Sequence, residues 1–116
     1  MCSSDLVLPE DGYLKEVGEL AKKYSALWII DETHTISVGP GGMTKQLNLQ
    51  PDFLTIGKAI GGGLPVGTFG MSEKIASEIA KKVEREVIDT GGIGGTLAGN
   101  ALSLAAMRAK IGRAHV

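Results

Sequence analysis

The chain has 116 residues and a formal net charge of −1, from 12 Lys+Arg against 13 Asp+Glu, which leaves room for one small domain and gives no electrostatic reason to expect nucleic acid or an anionic membrane as partner. A single cysteine, Cys2, and two histidines, His34 and His115, exclude an intramolecular disulfide and a structural zinc site, and fit a reducing cytoplasm. The longest apolar run, Ala26 to Ile30, falls far short of the ~20 residues a bilayer requires, and the N-terminus has no signal-peptide pattern.

In chain order, apolar Leu14, Val17, Leu20, Ala21 and Tyr24 recur at steps of three and four, opposite Lys15, Glu16, Glu19, Lys22 and Lys23. This spacing predicts an amphipathic helix over residues 12–26. The apolar run 26–30 follows at once and ends in Asp31 and Glu32, as expected of a parallel strand buried on both faces. A second strand is predicted over 53–56, ending at Gly57-Lys58 and the glycine-rich turn 61–65. The connection between them, residues 32–52, has a helical period only over 43–49 and is long enough for a parallel crossover. A third strand, 66–71, follows so short a turn that it should pair antiparallel to the second. Ser72 is placed to cap a helix running to about Val87, with Ile75, Ile79 and Val83 as a core stripe. A second glycine-rich segment, 90–96, leads into a small-residue helix over about 99–109. Trp28 is expected in the core, and the run of charges over residues 81–86 is a solvated helix face.

Glycine is abundant, 17 of 116, or about twice the usual ~7%, so backbone must approach something closely. Two nucleotide motifs fail on inspection. A P-loop would need Gly and Ser or Thr where Asp52 and Ala59 stand, and the dinucleotide fingerprint breaks at Val66 and Leu97. What remains is a carboxylate, Asp31, and an amine, Lys58, at the C-terminal ends of two neighbouring strands, the edge where open α/β sheets bind ligands. An amine desolvated there can attack a carbonyl to form a Schiff base. A carboxylate facing it can hold the protonated ring nitrogen of a heteroaromatic cofactor such as pyridoxal phosphate. Thr96, with a hydroxyl and an N–H before a helix, offers an anion site or a helix cap. Glu32 is expected to be a structural hydrogen-bonding residue, and His34 is a candidate base or ring-edge contact.

Three segments in order, LWIIDETHT (27–35), PDFLTIGKAIGGGLPVGTFGMSEKI (51–75) and GGTLAGNALSLAA (94–106), resemble the class III aminotransferases, and most of all their glutamate-1-semialdehyde aminomutase-like branch. The resemblance implies part of an α/β, three-layer, fold type I large domain with a mostly parallel sheet and one antiparallel strand. It implies pyridoxal 5′-phosphate as cofactor, Asp31 and Lys58 as the residues of catalysis and cofactor binding, and Thr33, Gly95 and Thr96 as further cofactor contacts. Thr96 would reach the phosphate of a partner subunit in a homodimer, and Thr33 stands where the family usually places a ring-packing Val. The implied reaction moves an amino group between an amino compound and a keto acid or aldehyde through a Lys58 Schiff base. The alternatives are intramolecular transfer of the aminomutase type and a truncated, non-catalytic module. The family's usual Thr-Gly-Phe-Arg continuation is replaced here by Thr33-His34-Thr35-Ile36-Ser37-Val38, and Ala101 stands where Pro is usual. Family members are several-fold longer, so residues 6–110 are expected to be a partial large domain, with 1–5 and 111–116 as non-native or fragment ends.

Overall fold

The computed structural model describes residues 8–83 and 97–111. Gly95, Thr96 and the expected extension of a helix from residue 84 to Val87 lie outside the described residues. Helix α1 spans Tyr13–Lys23, shorter at both ends than its apolar period, because Gly12 precedes it at φ 86 and Ser25, at φ 53, turns the chain beyond it. Gly18 sits on α1 against the Trp28 ring, where a Cβ would come within 2.6 Å of a ring carbon. The missing side chain brings helix and strand entry together, at a cost in helix propensity of about 1 kcal/mol relative to Ala.

Strand β1, Ile29–Asp31, pairs parallel with β2, Phe53–Gly57, and β2 pairs antiparallel with β3, Gly67–Met71, in the order β1-β2-β3. Ile29 lies opposite Phe53 and Phe53 opposite Met71, so the three strands are level at that end, whereas at the other end Asp31 lies opposite Thr55 and β2 runs on to Gly57, opposite Gly67. The Trp28 N–H donates to the Asp52 carboxylate at 2.9 Å, and the Trp28 carbonyl accepts from Phe53 N–H at 3.1 Å. This clamp starts the parallel pair and sets which residues emerge at its other end.

The crossover holds a 3-10 turn, Ile36–Val38, that hydrophobic periodicity does not signal, and a short helix α2, Gly42–Gln46, that starts one residue before the expected 43–49 segment and ends short of its last residue. It stops at Gln46 because Asn48 turns left-handed at φ 51, a conformation Asn tolerates. Helix α3, Glu73–Val83, begins as expected at Ser72, whose hydroxyl accepts the Ile75 N–H at 3.4 Å. Helix α4, Ala101–Ile111, starts later than expected, and Asn100 caps it by accepting the Ser103 N–H at 2.9 Å. No helix among the described residues is long and apolar enough to cross a membrane.

The expected double-sided burial of β1 is not met among the described residues. Ile29 is 59% exposed, Trp28 and Ile30 are half-buried, and Leu49 is the single buried large apolar side chain among the described residues. A parallel strand is buried only where helices cover both faces, and here α1 meets the entry to β1 at Trp28 without covering Ile29. The side chain buried most completely is Glu32, at 0% exposure.

Candidate active site

The site is built at the C-terminal ends of β1 and β2. Asp31 ends β1, and Lys58 follows Gly57 at the end of β2, opening a 3-10 turn, Lys58–Gly61, against which α4 packs. Lys58 holds φ 44, a left-handed backbone that costs a residue with a Cβ of order 1–3 kcal/mol and concentrates at functional sites. Nothing in the local sequence signals that strain. The turn then closes tightly: a Cβ on Gly61 would overlap Val66, whereas around Gly63 there is open space.

Thr33 joins the two strand ends. Its hydroxyl accepts the Gly57 N–H at 2.9 Å, and its own N–H donates to Asp31 Oδ1 at 2.8 Å. The Thr33 hydroxyl, then its backbone N–H, holds the Asp31 carboxyl below its ordinary 3.8 against a smaller desolvation effect, with Lys58 and His34 adding less in the lowering direction. Asp31 is therefore an anion at neutral pH, a state that its exposure to solvent also favours. Thr33 thus acts through its polar atoms, which an apolar residue in that position would lack. Thr33→Val is expected to raise the Asp31 carboxyl toward its ordinary value, read by carbon NMR of the carboxyl against pH. It also orphans the Gly57 N–H, for about 1 kcal/mol of lost stability, and Thr33→Ser should restore both.

Lys58 Nζ lies 3.4 Å from His34 Nε2, and both are exposed. The expectation of a desolvated amine is not met by the described residues; Lys58 is directed by its neighbours rather than buried by them. Glu32 is structural, as its type suggests. Its carboxylate accepts bonds from the Thr35 hydroxyl and from the N–H groups of Met43 and Thr44, the first turn of α2. Burial pushes the Glu32 carboxyl up, but these donors outweigh it and hold it below its ordinary 4.5. Thr35, Thr44 and Gly42 are the residues that sequence reasoning misses; the glycine pair before Met43 is the one hint of a close approach. A groove of about 880 Å³ borders Asp31 and Glu32 but neither Lys58 nor His34. Its wall of Leu14, Ile30, Met43, Leu47 and Leu49 marks it as a packing face rather than the amine site.

A family model described as "Aminotransferase class-III" matches residues 4–114. Glutamate-1-semialdehyde 2,1-aminomutase of Syntrophomonas wolfei is 43% identical over 102 residues, covering 87% of this chain and 22% of that protein. The protein of the same name from Archaeoglobus fulgidus is 40% identical over 107 residues, covering 91% and 24%. Among solved structures, a glutamate-1-semialdehyde-aminomutase from Pseudomonas aeruginosa PAO1 matches with TM-score 0.78 at 43% identity, over 94% of this chain and 25% of that one. An omega-transaminase from Sphaerobacter thermophilus matches with TM-score 0.65 at 31% identity, over 90% and 24%. The chain thus spans about a quarter of the length of the relatives it matches. These neighbours bear out the α/β, fold type I reading, with its parallel β1–β2 pair and antiparallel β3. A family match across nearly the whole chain, with the three sequence segments in order inside it, settles the membership: the chain belongs to the class-III aminotransferases.

Proposed function

We propose that this chain is the part of a pyridoxal-phosphate-dependent aminotransferase that supplies the reactive amine and the ring-nitrogen carboxylate. The enzyme would move an amino group between an amino donor and a keto acid or aldehyde. The observation that carries this reading is the pairing of Asp31 and Lys58 at adjacent parallel strand ends, coupled through Thr33. The donor set fits the cofactor: a carboxylate kept anionic, a primary amine on a strained turn, and glycines at 62 and 63 that leave space beside it.

When bound, pyridoxal phosphate supplies a carbonyl for amine exchange and a ring that accepts electrons from the substrate carbon. Asp31 would hold the ring N–H, and its anionic state keeps positive charge there. Lys58 Nζ would bind the cofactor at rest and, once free, take up and return the proton that moves during amino transfer. Thr33 orients Asp31 and fixes the backbone one residue before Lys58. Gly95 and Thr96 would complete the site at the cofactor phosphate, Thr96 toward a second subunit. A homodimer in the cytoplasm, with residues 6–110 forming part of its large domain, is the assembly this reading implies. Intramolecular transfer of the aminomutase type is the second reading, favoured by the 43% identical relatives that carry that name. A requirement for an external keto acid in turnover separates the two.

The direct test mixes the chain with pyridoxal phosphate, reduces with borohydride, and locates the phosphopyridoxyl group by peptide mass spectrometry. Nine lysines compete, so selectivity decides. Label concentrated on Lys58 supports the assignment; label spread over the other eight, or none, means that this chain alone does not form the cofactor site, and a full-length enzyme that leaves Lys58 unlabelled sinks the assignment.

A further inference from the structure

We propose that His34 is a positioning residue for Lys58, its Nε2 accepting a hydrogen bond from the lysine Nζ. This rests on the reading of Lys58 as the cofactor amine and adds a residue that the reading does not itself require. Three observations carry it. His34 Nε2 lies 3.4 Å from Lys58 Nζ, a contact that one donor and one acceptor explain and two donors do not. His34 lies one residue beyond Thr33, the residue that binds both Asp31 and Gly57, so imidazole and amine are delivered by the same junction. Asp31, His34 and Lys58 are all exposed, and the Thr33 junction ties together the two strand ends that carry them.

Hydrogen-bond inventory selects the role. A lysine ammonium has donors and no acceptor, so in this contact the imidazole nitrogen is the acceptor. His34 at rest therefore receives a hydrogen bond, not a proton. A lysine side chain carries about 2 kcal/mol of rotamer entropy, and no burial restrains this one. A single directional acceptor narrows where Nζ points. It also fixes the neutral ring as the tautomer with its proton on Nδ1 and a bare lone pair on Nε2.

The tautomer is measurable without cofactor. The chain has two histidines, so labelling imidazole nitrogens with ¹⁵N gives two ring systems, told apart by the His34→Gln variant. The expected result is a neutral His34 carrying its proton on Nδ1 in the unmodified chain and shifting toward the Nε2–H form in Lys58→Met. Trace acetylation read per lysine supplies a second signal. His34→Phe should change the reactivity of Lys58 relative to Lys15 and Lys74 upward by about two- to fivefold, the range for an exposed charged contact. His34→Gln, which keeps an acceptor at similar reach, should return it. An Nε2–H tautomer in the unmodified chain, or a Lys58 reactivity unmoved by His34→Phe, overturns the proposal. Failure of Lys58 to take the phosphopyridoxyl label in the full-length enzyme while the tautomer is as expected would instead count against the cofactor reading alone.

Discussion

Lys58→Ala is expected to abolish the borohydride-trapped cofactor label at this position and to lower amino transfer by the assembled enzyme on the order of 10²- to 10⁴-fold, the contribution of a positioned proton-transfer group. The fold should survive. Lys58 is exposed, and the left-handed backbone at φ 44 that strains lysine strains alanine equally. Lys58→Gly relieves that strain and should match or exceed the stability of the unmodified chain while being equally inactive. Lys58→Arg keeps the charge beside Asp31 but not a nucleophilic amine, because guanidinium does not deprotonate in a protein. If Arg retained transfer activity within tenfold, electrostatics toward Asp31 would be the role of Lys58 and the covalent role would fall. Glycine and arginine together therefore separate chemistry from backbone strain and from charge.

The elements of the site that sequence makes legible are those carried by one short motif each. An apolar run ending in a carboxylate, and a second ending in Gly-Lys, place Asp31 and Lys58 at strand ends before any coordinates, since parallel strands need a long crossover and residues 32–52 provide one. The antiparallel β3 follows from the short turn after β2. What sequence does not show is how those ends are joined. Thr33 reads as a ring-packing position because the family places an apolar residue there; its two hydrogen bonds depend on strand register, which brings Gly57 within reach of a residue two beyond Asp31. Asn100 caps α4 because the helix begins at Ala101, later than the small-residue pattern alone suggests, and Asn is a favoured cap there. The burial expected of β1 fails for a different reason. An apolar strand announces that something covers it, but not which residues supply the cover, and the described ones leave Ile29 exposed.

Glu32→Ala is expected to cost about 3–5 kcal/mol, read as a fall in the urea midpoint. The Glu32 carboxylate is fully buried and accepts from three donors, the Thr35 hydroxyl and the Met43 and Thr44 N–H groups. Truncation leaves all three without a partner, at about 1–3 kcal/mol each before relaxation. That loss is a large fraction of the 5–15 kcal/mol typical of a whole domain. The carboxylate also faces the N-terminus of α2, where the helix dipole favours a negative charge. Gly42 exists to admit it: a Cβ there would stand 2.8 Å from the carboxylate, and its φ of 64 is left-handed. Glu32→Gln keeps the volume but turns one acceptor into a donor that meets N–H groups, so it should lose nearly as much as alanine. The acid dependence follows from the direction of the shift. The folded-state carboxyl lies below its ordinary 4.5, so the unfolded chain takes up the proton first. Glu32 therefore contributes its full stability above about pH 4.5 and loses it as pH falls through the lower folded value. The urea midpoint of the unmodified chain should drop steeply from pH 5 toward 3, and that of Glu32→Gln should fall less. Asp31 is shifted in the same direction but is exposed, so an equal acid slope in the two proteins would transfer the effect to other carboxylates. Because Glu32 ties the first residue after β1 to the start of α2, and Thr33 follows it directly, acid loss of this bond should loosen the strand-end junction that presents Asp31 to Lys58.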